Sequence, residues 1–440
     1  MRIAYFPALL ALFALAPGCK SKRASKPEPQ ASASAAAPAP AAPPGRCREI
    51  SGGPSLIVGD GGGEAPAGRE TEEDDDDQAD TLPFATSVGS AVALPGWFAG
   101  GGLRTRAGAT EAFVALVPAD GAPGTLVALE RVHGDVDAPL VGGRAAELVV
   151  AVPDSDAGGG MLRLSRVELV SKKATHGAQI TGVDHDAGAA LAVGERGALL
   201  VYGAGRAGSS ALKASPFDPG HPEALGAAVD LAGTSGAEAP ALVVRPGGYF
   251  LAFIAERPLA DAGAPRDAGD TEQLVALGPR VLMAVPLDAQ GKPSGVTRAV
   301  SPETGHVVGF DAVALPDGAL GVAWREDDAA PGVDAGALEL ARIGLDGSVQ
   351  RGRIDDEDIS AGLPTLLRDS GPSGRVWVAV RSASEASRVG LLAPSAVAVE
   401  SLTGDGLLRG AEVLAVADGR LLVSRARRRN VELDVLECKP

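Results

Sequence analysis

The sequence has few aromatic residues, cysteines and methionines. Aromatic residues make up 3% of its 440 positions, and there are three cysteines and three methionines. A hydrophobic core therefore has to be built mainly from Val, Leu, Ala and Ile. A four-ligand zinc site is disfavoured, because Cys47 and Cys438 have no histidine nearby in the sequence to complete it.

Known catalytic motifs are equally scarce. No Gly-x-Ser-x-Gly elbow, P-loop or His-Glu-x-x-His sequence occurs. The spacing Gly203-x-Gly205-x-x-Gly208 matches a dinucleotide fingerprint, but that motif needs a helix behind it and Pro216 limits any helix to two turns. Ser210-x-x-Lys213 matches a penicillin-binding pair without its helical context. The sequence therefore predicts no catalytic, cofactor-binding or metal-binding residues. A hydrolase with paired carboxylates stays an alternative, because no sequence motif identifies such a pair.

The histidines offer one metal-like constellation. Asp184-His185-Asp186 could supply an imidazole and carboxylates, with His176 nine residues away. A turn between repeats accounts for the same residues, and we predict the turn. The formal net charge of −16 makes nucleic acid an unsuitable partner, because phosphates would be repelled.

Glycine and proline are abundant, at 59 and 33 residues, which is typical of many short strands joined by turns. Strongly apolar, strand-like segments recur with centres near Phe98, Val149, Leu200, Leu251, Val322, Val378 and Leu422. The intervals are 51, 51, 51, 71, 56 and 44 residues, and the longest spans a polar insert. Alternating runs such as 338–343 and 431–435 follow these segments and predict further strands.

Hairpin turns repeat with the same period. Asp317-Gly318, Gly247-Gly248 and Asp418-Gly419 lie before the apolar segments, and such pairs tolerate positive φ. A period near 50 with several strands per unit is typical of a β-propeller. We predict an all-β fold with seven blades, in which Cys47–Ile50 or Ser55–Val58 closes the last blade. Tandem β-sandwich domains are the alternative fold. The last three units loosely resemble propeller repeats of periplasmic and outer-membrane proteins.

The N-terminus has the composition of an export signal. Arg2 precedes an apolar run over 3–16, and Pro17-Gly18-Cys19 follow. The run is too short to span a bilayer, which needs about 20 residues. The segment resembles the lipobox of bacterial lipoproteins, although Ala16 and Pro17 depart from the usual pattern. The resemblance implies that residues 1–18 are removed and that Cys19 is acylated. Because Lys20 follows it and not Asp, we expect the outer membrane.

The remaining chain divides into a linker and a domain. Residues 19–45 are rich in Ala, Pro and Ser and predict a disordered tether. Residues 46–440 form the predicted propeller domain, with an acidic disordered insert at about 59–82 and a loop insert at about 256–278. The acidic insert lacks calcium-loop spacing.

Two cysteines remain after Cys19. Cys47 and Cys438 lie at opposite ends of the domain, and disulfides persist in exported proteins. We predict that they are bonded; two free thiols are the alternative. The resulting hypothesis is a monomeric, non-catalytic binding or scaffolding protein, held to the membrane through the lipid on Cys19, on its periplasmic or surface face. Its partner would be an envelope protein or glycan. A propeller hydrolase or lyase acting on glycan or peptide, and a surface adhesion protein, remain alternatives.

Overall fold

The structure is a computed structural model. It describes residues 47–50, 52–59, 86–106, 108–156, 159–205, 210–256, 279–326, 337–355, 363–371, 373–381, 386–427 and 430–439. Cys19, the predicted signal peptide and tether, and nearly all of both predicted inserts therefore lie outside the described residues. Within the described ranges, no helix is long and apolar enough to cross a membrane.

The strands of the described ranges form six hydrogen-bonded antiparallel sheets, numbered I to VI here. Sheet I contains β3 (Thr86–Leu94), β4 (Trp97–Arg106), β5 (Ala109–Pro118) and β6 (Thr125–Val132). Sheet II contains β7 (Leu140–Arg144), β8 (Glu147–Asp156), β9 (Gly159–Glu168), β10 (Lys173–Val183), β11 (Ala189–Gly194), β12 (Gly197–Ala204), β13 (Ala211–Phe217) and β14 (Val229–Asp230).

Sheets III to V have four strands each. Sheet III contains β15 (Ala237–Arg245), β16 (Gly248–Glu256), β17 (Arg280–Asp288) and β18 (Arg298–Ala299). Sheet IV contains β19 (Val307–Ala314), β20 (Leu320–Glu326), β21 (Ala337–Ile343) and β22 (Val349–Asp355). Sheet V contains β23 (Thr365–Arg368), β24 (Val376–Arg381), β25 (Ala386–Leu392) and β26 (Val399–Arg409). Sheet VI contains β27 (Ala411–Ala417), β28 (Arg420–Arg427), β29 (Asn430–Cys438), β1 (Cys47–Glu49) and β2 (Leu56–Val58).

The sheets are arranged as a closed ring. The inner strands β3, β7, β11, β15, β19, β23 and β27 contact one another in this order, and β27 also contacts β3. Each inner strand is paired with the next strand along the chain. This radial arrangement around a central channel is a β-propeller. The predicted all-β propeller fold is therefore confirmed, and tandem β-sandwiches are excluded.

The prediction of seven separate blades is wrong for the hydrogen-bonded sheets. Five sheets have the size of a single blade, while sheet II has eight strands. Its halves are joined because β10 runs far enough for Val183 to pair with Ala204 in β12. The sequence gives no sign of this bridge, since the period of 51 residues is the same on both sides of it.

The N-terminal segment contributes to the last sheet. β1 and β2 both pair antiparallel with β29, with Cys47 opposite Cys438 and Val58 opposite Val431. Both candidate segments identified in the sequence therefore take part. Cys47 and Cys438 are joined by a disulfide bond. The sheet nearest the C-terminus is thus completed by residues from near the start of the domain.

The periodic apolar segments are the second strands of the repeats. Phe98, Leu200, Leu251 and Val322 lie in β4, β12, β16 and β20 and are at most 1% exposed. Both faces of such a strand pack against neighbouring sheets, so its sequence is continuously apolar and not alternating. Hydrophobic clusters accordingly span adjacent sheets. In one cluster, Phe98 and Phe113 of sheet I lie with Leu433 of sheet VI.

Antiparallel strands give the ring two distinct faces. The hairpin face carries the turns between first and second strands, such as Glu195–Arg196, Pro246–Gly247 and Asp418–Gly419. The connector face carries the connections that lead to the next inner strand, such as 133–139 and 184–188. The Cys47–Cys438 bond lies at the hairpin face, because Cys438 N donates to Gly419 O at 3.0 Å.

Candidate functional site

A pocket of about 210 Å³ opens at the connector face. It lies between the two halves of sheet II and reaches β15, near the connector-face ends of three inner strands. Its lining includes Asp137, Leu140, Pro153, Leu162, His185 and Pro240. We call it the mouth pocket. Most of its lining residues are apolar, and His185 and Asp137 supply its ionisable groups.

His185 is held in a defined orientation. Its Nε2 lies 2.9 Å from the backbone oxygen of Asp154. A carbonyl can only accept, so Nε2 carries the proton and Nδ1 is the basic nitrogen. Within the described part of the chain Nδ1 has no hydrogen-bond partner. The imidazole can therefore accept a hydrogen bond or a proton from a bound molecule.

A buried polar network surrounds the side chain of Asp154, whose backbone oxygen contacts this histidine. The Asp154 side chain is fully buried, and its Oδ1 accepts hydrogen bonds from His133 N at 2.6 Å and Ser155 N at 3.0 Å. Its Oδ2 forms an ion pair with Arg163, which also contacts Glu130 at 2.6 Å. Burial of a carboxylate is costly unless it is paired and hydrogen-bonded, and these partners meet that need. The network fixes the end of β8 and so the carbonyl that orients His185.

The Asp184-His185-Asp186 segment forms a turn, as expected from the sequence. Asp184 Oδ1 accepts from Asp186 N at 3.1 Å, while its Oδ2 is buried without a partner among the described residues. His176 lies in β10 opposite Ser165, away from this turn. Among the described residues, no group of three His, Cys, Asp or Glu side chains is placed to hold a metal ion.

The two motif matches have other structural explanations. Residues 206–209 of the glycine motif lie outside the described residues, and the segment that follows is strand β13, not a helix. Lys213 belongs to β13, pairs with Tyr202 across the sheet and forms an ion pair with Asp230 at 3.2 Å. Neither the pyrophosphate site nor the serine–lysine site has the helix that its chemistry requires.

No protein-family model and no curated protein matches this chain. Solved structures are similar in fold. Hydrazine synthase from Kuenenia stuttgartiensis has a TM-score of 0.50 at 15% identity, covering 78% of this chain and 94% of the other. The polysaccharide lyase Uly1 has a TM-score of 0.51 at 10% identity, covering 80% and 90%. The β-propeller domain of the Trilobed protease from Pyrococcus furiosus has a TM-score of 0.47 at 7% identity, covering 80% and 95%. At these identities the likeness extends to the fold alone.

Proposed function

We propose that this protein is a lipid-anchored, non-catalytic binding protein of the cell envelope, which holds a partner in the mouth pocket. The observation that carries the proposal is the composition of that pocket. Apolar walls with one oriented imidazole and one exposed carboxylate suit an apolar group with few polar contacts. Such walls favour a protein side chain over a glycan, whose hydroxyl groups need many hydrogen-bond partners.

The anchor is part of the same proposal. A lipid on Cys19 would connect through residues 20–46 to Cys47, which lies at the hairpin face. The mouth pocket opens at the opposite face. An anchored propeller would lie on the periplasmic or outer side of the membrane. Acyl chains on one cysteine and its α-amino group exceed the two-signal threshold for stable anchoring.

We also propose that the ring functions as seven blades, with sheet II counted as two. A single residue pair, Val183 with Ala204, joins its halves, and each half has its own inner strand. Seven blades would be separated by about 51° and six by about 60°. An experimental structure that measures the angle between the neighbouring strands β16 and β20 about the ring axis distinguishes these counts.

Photo-crosslinking tests the binding function. A photoreactive amino acid at Ala189, in the pocket wall, should capture one envelope component, and His185→Ala should abolish the capture. The same amino acid at Arg375, on the hairpin face, serves as the control. Equal capture from both positions, or capture unaffected by His185→Ala, would contradict the proposal.

A glycan or peptide hydrolase or lyase is a second candidate, favoured by Nδ1 of His185, which has no hydrogen-bond partner among the described residues. In that case His185 would act as a base, and purified protein should cleave an envelope polysaccharide or peptide. His185→Gln should then remove turnover without removing substrate binding. Binding without turnover by the unmodified protein supports the binding function instead.

A further inference from the structure

A second cavity, of about 220 Å³, lies on the hairpin face between sheets II and III. Its lining combines the turn Gly194–Arg196, the turn Arg245–Gly248, Tyr249 and Ala289. We call it the arginine notch. Two arginines from neighbouring sheets, Arg196 and Arg245, line it. The net charge of the chain is −16. Its position is independent of the mouth pocket, which opens on the other face.

Arg245 is fixed there without a carboxylate partner. Its Nε donates to Tyr249 O at 3.1 Å, and its Nη2 donates to Leu287 O at 3.2 Å and Ser294 Oγ at 2.8 Å. The guanidinium carbon lies 5.1 Å from the centre of the Phe250 ring. All these partners are neutral, and Nη1 has none among the described residues. Burial lowers the pKa of Arg245, as expected for a cation without a counter-ion.

Arg196 supplies a second, more exposed guanidinium. It lies at the β11–β12 turn and forms no ion pair within the described residues. The neighbouring Glu195 carboxylate also lines the notch, but it is paired with Arg144 at 3.3 Å. Elsewhere on the ring, arginines such as Arg163, Arg342 and Arg425 are paired with acids. The notch therefore holds positive charge that no ion pair among the described residues balances.

The floor of the notch is rigid. Tyr249 donates its hydroxyl hydrogen to Gly197 O at 2.9 Å and so ties sheet III to sheet II. Burial raises the pKa of Tyr249 to about 12, so this hydroxyl stays a donor at neutral pH. Gly247 at the rim has φ of +81°, and no atom lies within 4 Å of the place where a Cβ would stand. The rim at Gly247 is thus open, which leaves room for an oxyanion at this side of the notch.

We propose that the arginine notch is a binding site for a phosphate ester, held by Arg245 and Arg196. Planar guanidinium groups match the oxygen geometry of phosphate and hold it by charge-assisted hydrogen bonds. Two sources share this chemistry. One is a soluble phosphate ester. The other is a lipid headgroup, which the proposed anchor would bring near, because Cys47 joins the domain at this same face.

Titration of the full chain carrying Cys19→Ala tests the site without the anchor. We expect glycerol phosphate to bind saturably by calorimetry and to bind more weakly as sodium chloride is raised. Arg196→Gln should weaken binding about tenfold, as should Arg245→Lys, which keeps the charge but loses the fork. Arg375→Gln, at another exposed arginine of the same face, is the matched control and should bind as the parent does.

Because Arg245 supports the turn, a melting curve must show that Arg245→Lys is folded. If this variant unfolds, the test rests on Arg196→Gln, since Arg196 is exposed. Absence of saturable binding by the parent, or unchanged binding by Arg196→Gln, overturns the proposal. Vesicle sedimentation then separates the sources. If the protein binds phosphatidylglycerol vesicles, and glycerol phosphate and the substitution Arg196→Gln both reduce that binding, the result supports a lipid headgroup. Saturable titration without vesicle binding supports a soluble ester. Both experiments use the chain with Cys19→Ala, which carries no lipid. The outcome for the arginine notch is therefore independent of whether the proposed anchor is correct.

Discussion

Leu366 N donates a hydrogen bond of 2.7 Å to Asp311 Oδ2, which joins sheet V to sheet IV through a partly buried carboxyl group. The other oxygen of Asp311 accepts from Ala312 N, also at 2.7 Å. Among the described residues this group forms no ion pair. Burial raises its pKa to about 6, and the two backbone hydrogen bonds only partly oppose the rise. The contact between these sheets therefore depends on a protonation state.

We predict that stability depends on pH through Asp311. Its folded pKa of about 6 lies above the ordinary value of 3.8, so the folded chain binds the proton more tightly. This stabilisation is complete below about pH 3.8 and is lost as the pH rises through about 6. Across that range the loss is roughly 3 kcal/mol. Urea unfolding of the protein and of Asp311→Asn from pH 4 to 7 measures it. Parallel pH profiles for the two proteins would contradict the prediction.

Removal of the disulfide should destabilise the ring. Cys47 and Cys438 are 391 positions apart, so reduction releases a loop of almost the whole domain. The loss of unfolding free energy should reach about 5 kcal/mol. Cys47→Ser, Cys438→Ser and the double variant should lose similar amounts, because either change breaks the same bond. Additive losses, or two freely alkylated thiols in mass mapping, would argue against the bond.

Gly101→Ala should also destabilise the protein. A Cβ at position 101 would lie 2.2 Å from Pro139 O and 2.9 Å from a Val141 methyl group. Both belong to the segment entering sheet II, and backbone cannot rotate away as a side chain can. We expect a cost of about 1–3 kcal/mol in urea unfolding. A Cβ at position 406 would have open space around it. Gly406→Ala should therefore leave the urea concentration at the midpoint of unfolding unchanged within error.

Cys19→Ala should release the protein from the membrane fraction, because no acyl chain could then be attached. Fractionation followed by immunodetection measures the change. Cys438→Ser, which alters a different cysteine, should remain in the membrane fraction. Continued sedimentation of the Cys19 variant with membranes would refute the anchor.

Much of the architecture can be predicted from the sequence because second strands are buried on both faces. Leu200 and Val322 lie in such strands, and burial on both sides leaves a continuous apolar run that recurs with the repeat. The pairing of the N-terminal segment with the last strand is predictable for a related reason. A ring that lacks one strand at its end must take it from elsewhere, and Cys47 and Cys438 mark the two edges.

The sites are much less predictable. The sequence indicates that His185 lies in a turn, but the carbonyl that orients it belongs to Asp154, which is 31 positions away. The arginine notch brings Arg196 beside Arg245 only because two hairpins of neighbouring sheets are adjacent in the ring. The Val183–Ala204 bridge depends on how far β10 extends. Such features follow from three-dimensional adjacency, which leaves no periodic signal along the chain.

The bond between Cys47 and Cys438 also determines how the domain would respond to mechanical load. β1 has three paired residues on β29, a ladder short enough to peel apart under modest tension on the preceding chain. With the disulfide in place, a pull on the segment before Cys47 passes covalently into β29, which lies between β28 and the two N-terminal strands. The force would then act on β29, inside sheet VI, and leave the β1 ladder unloaded. A domain held by one end could in this way withstand drag on a bound partner.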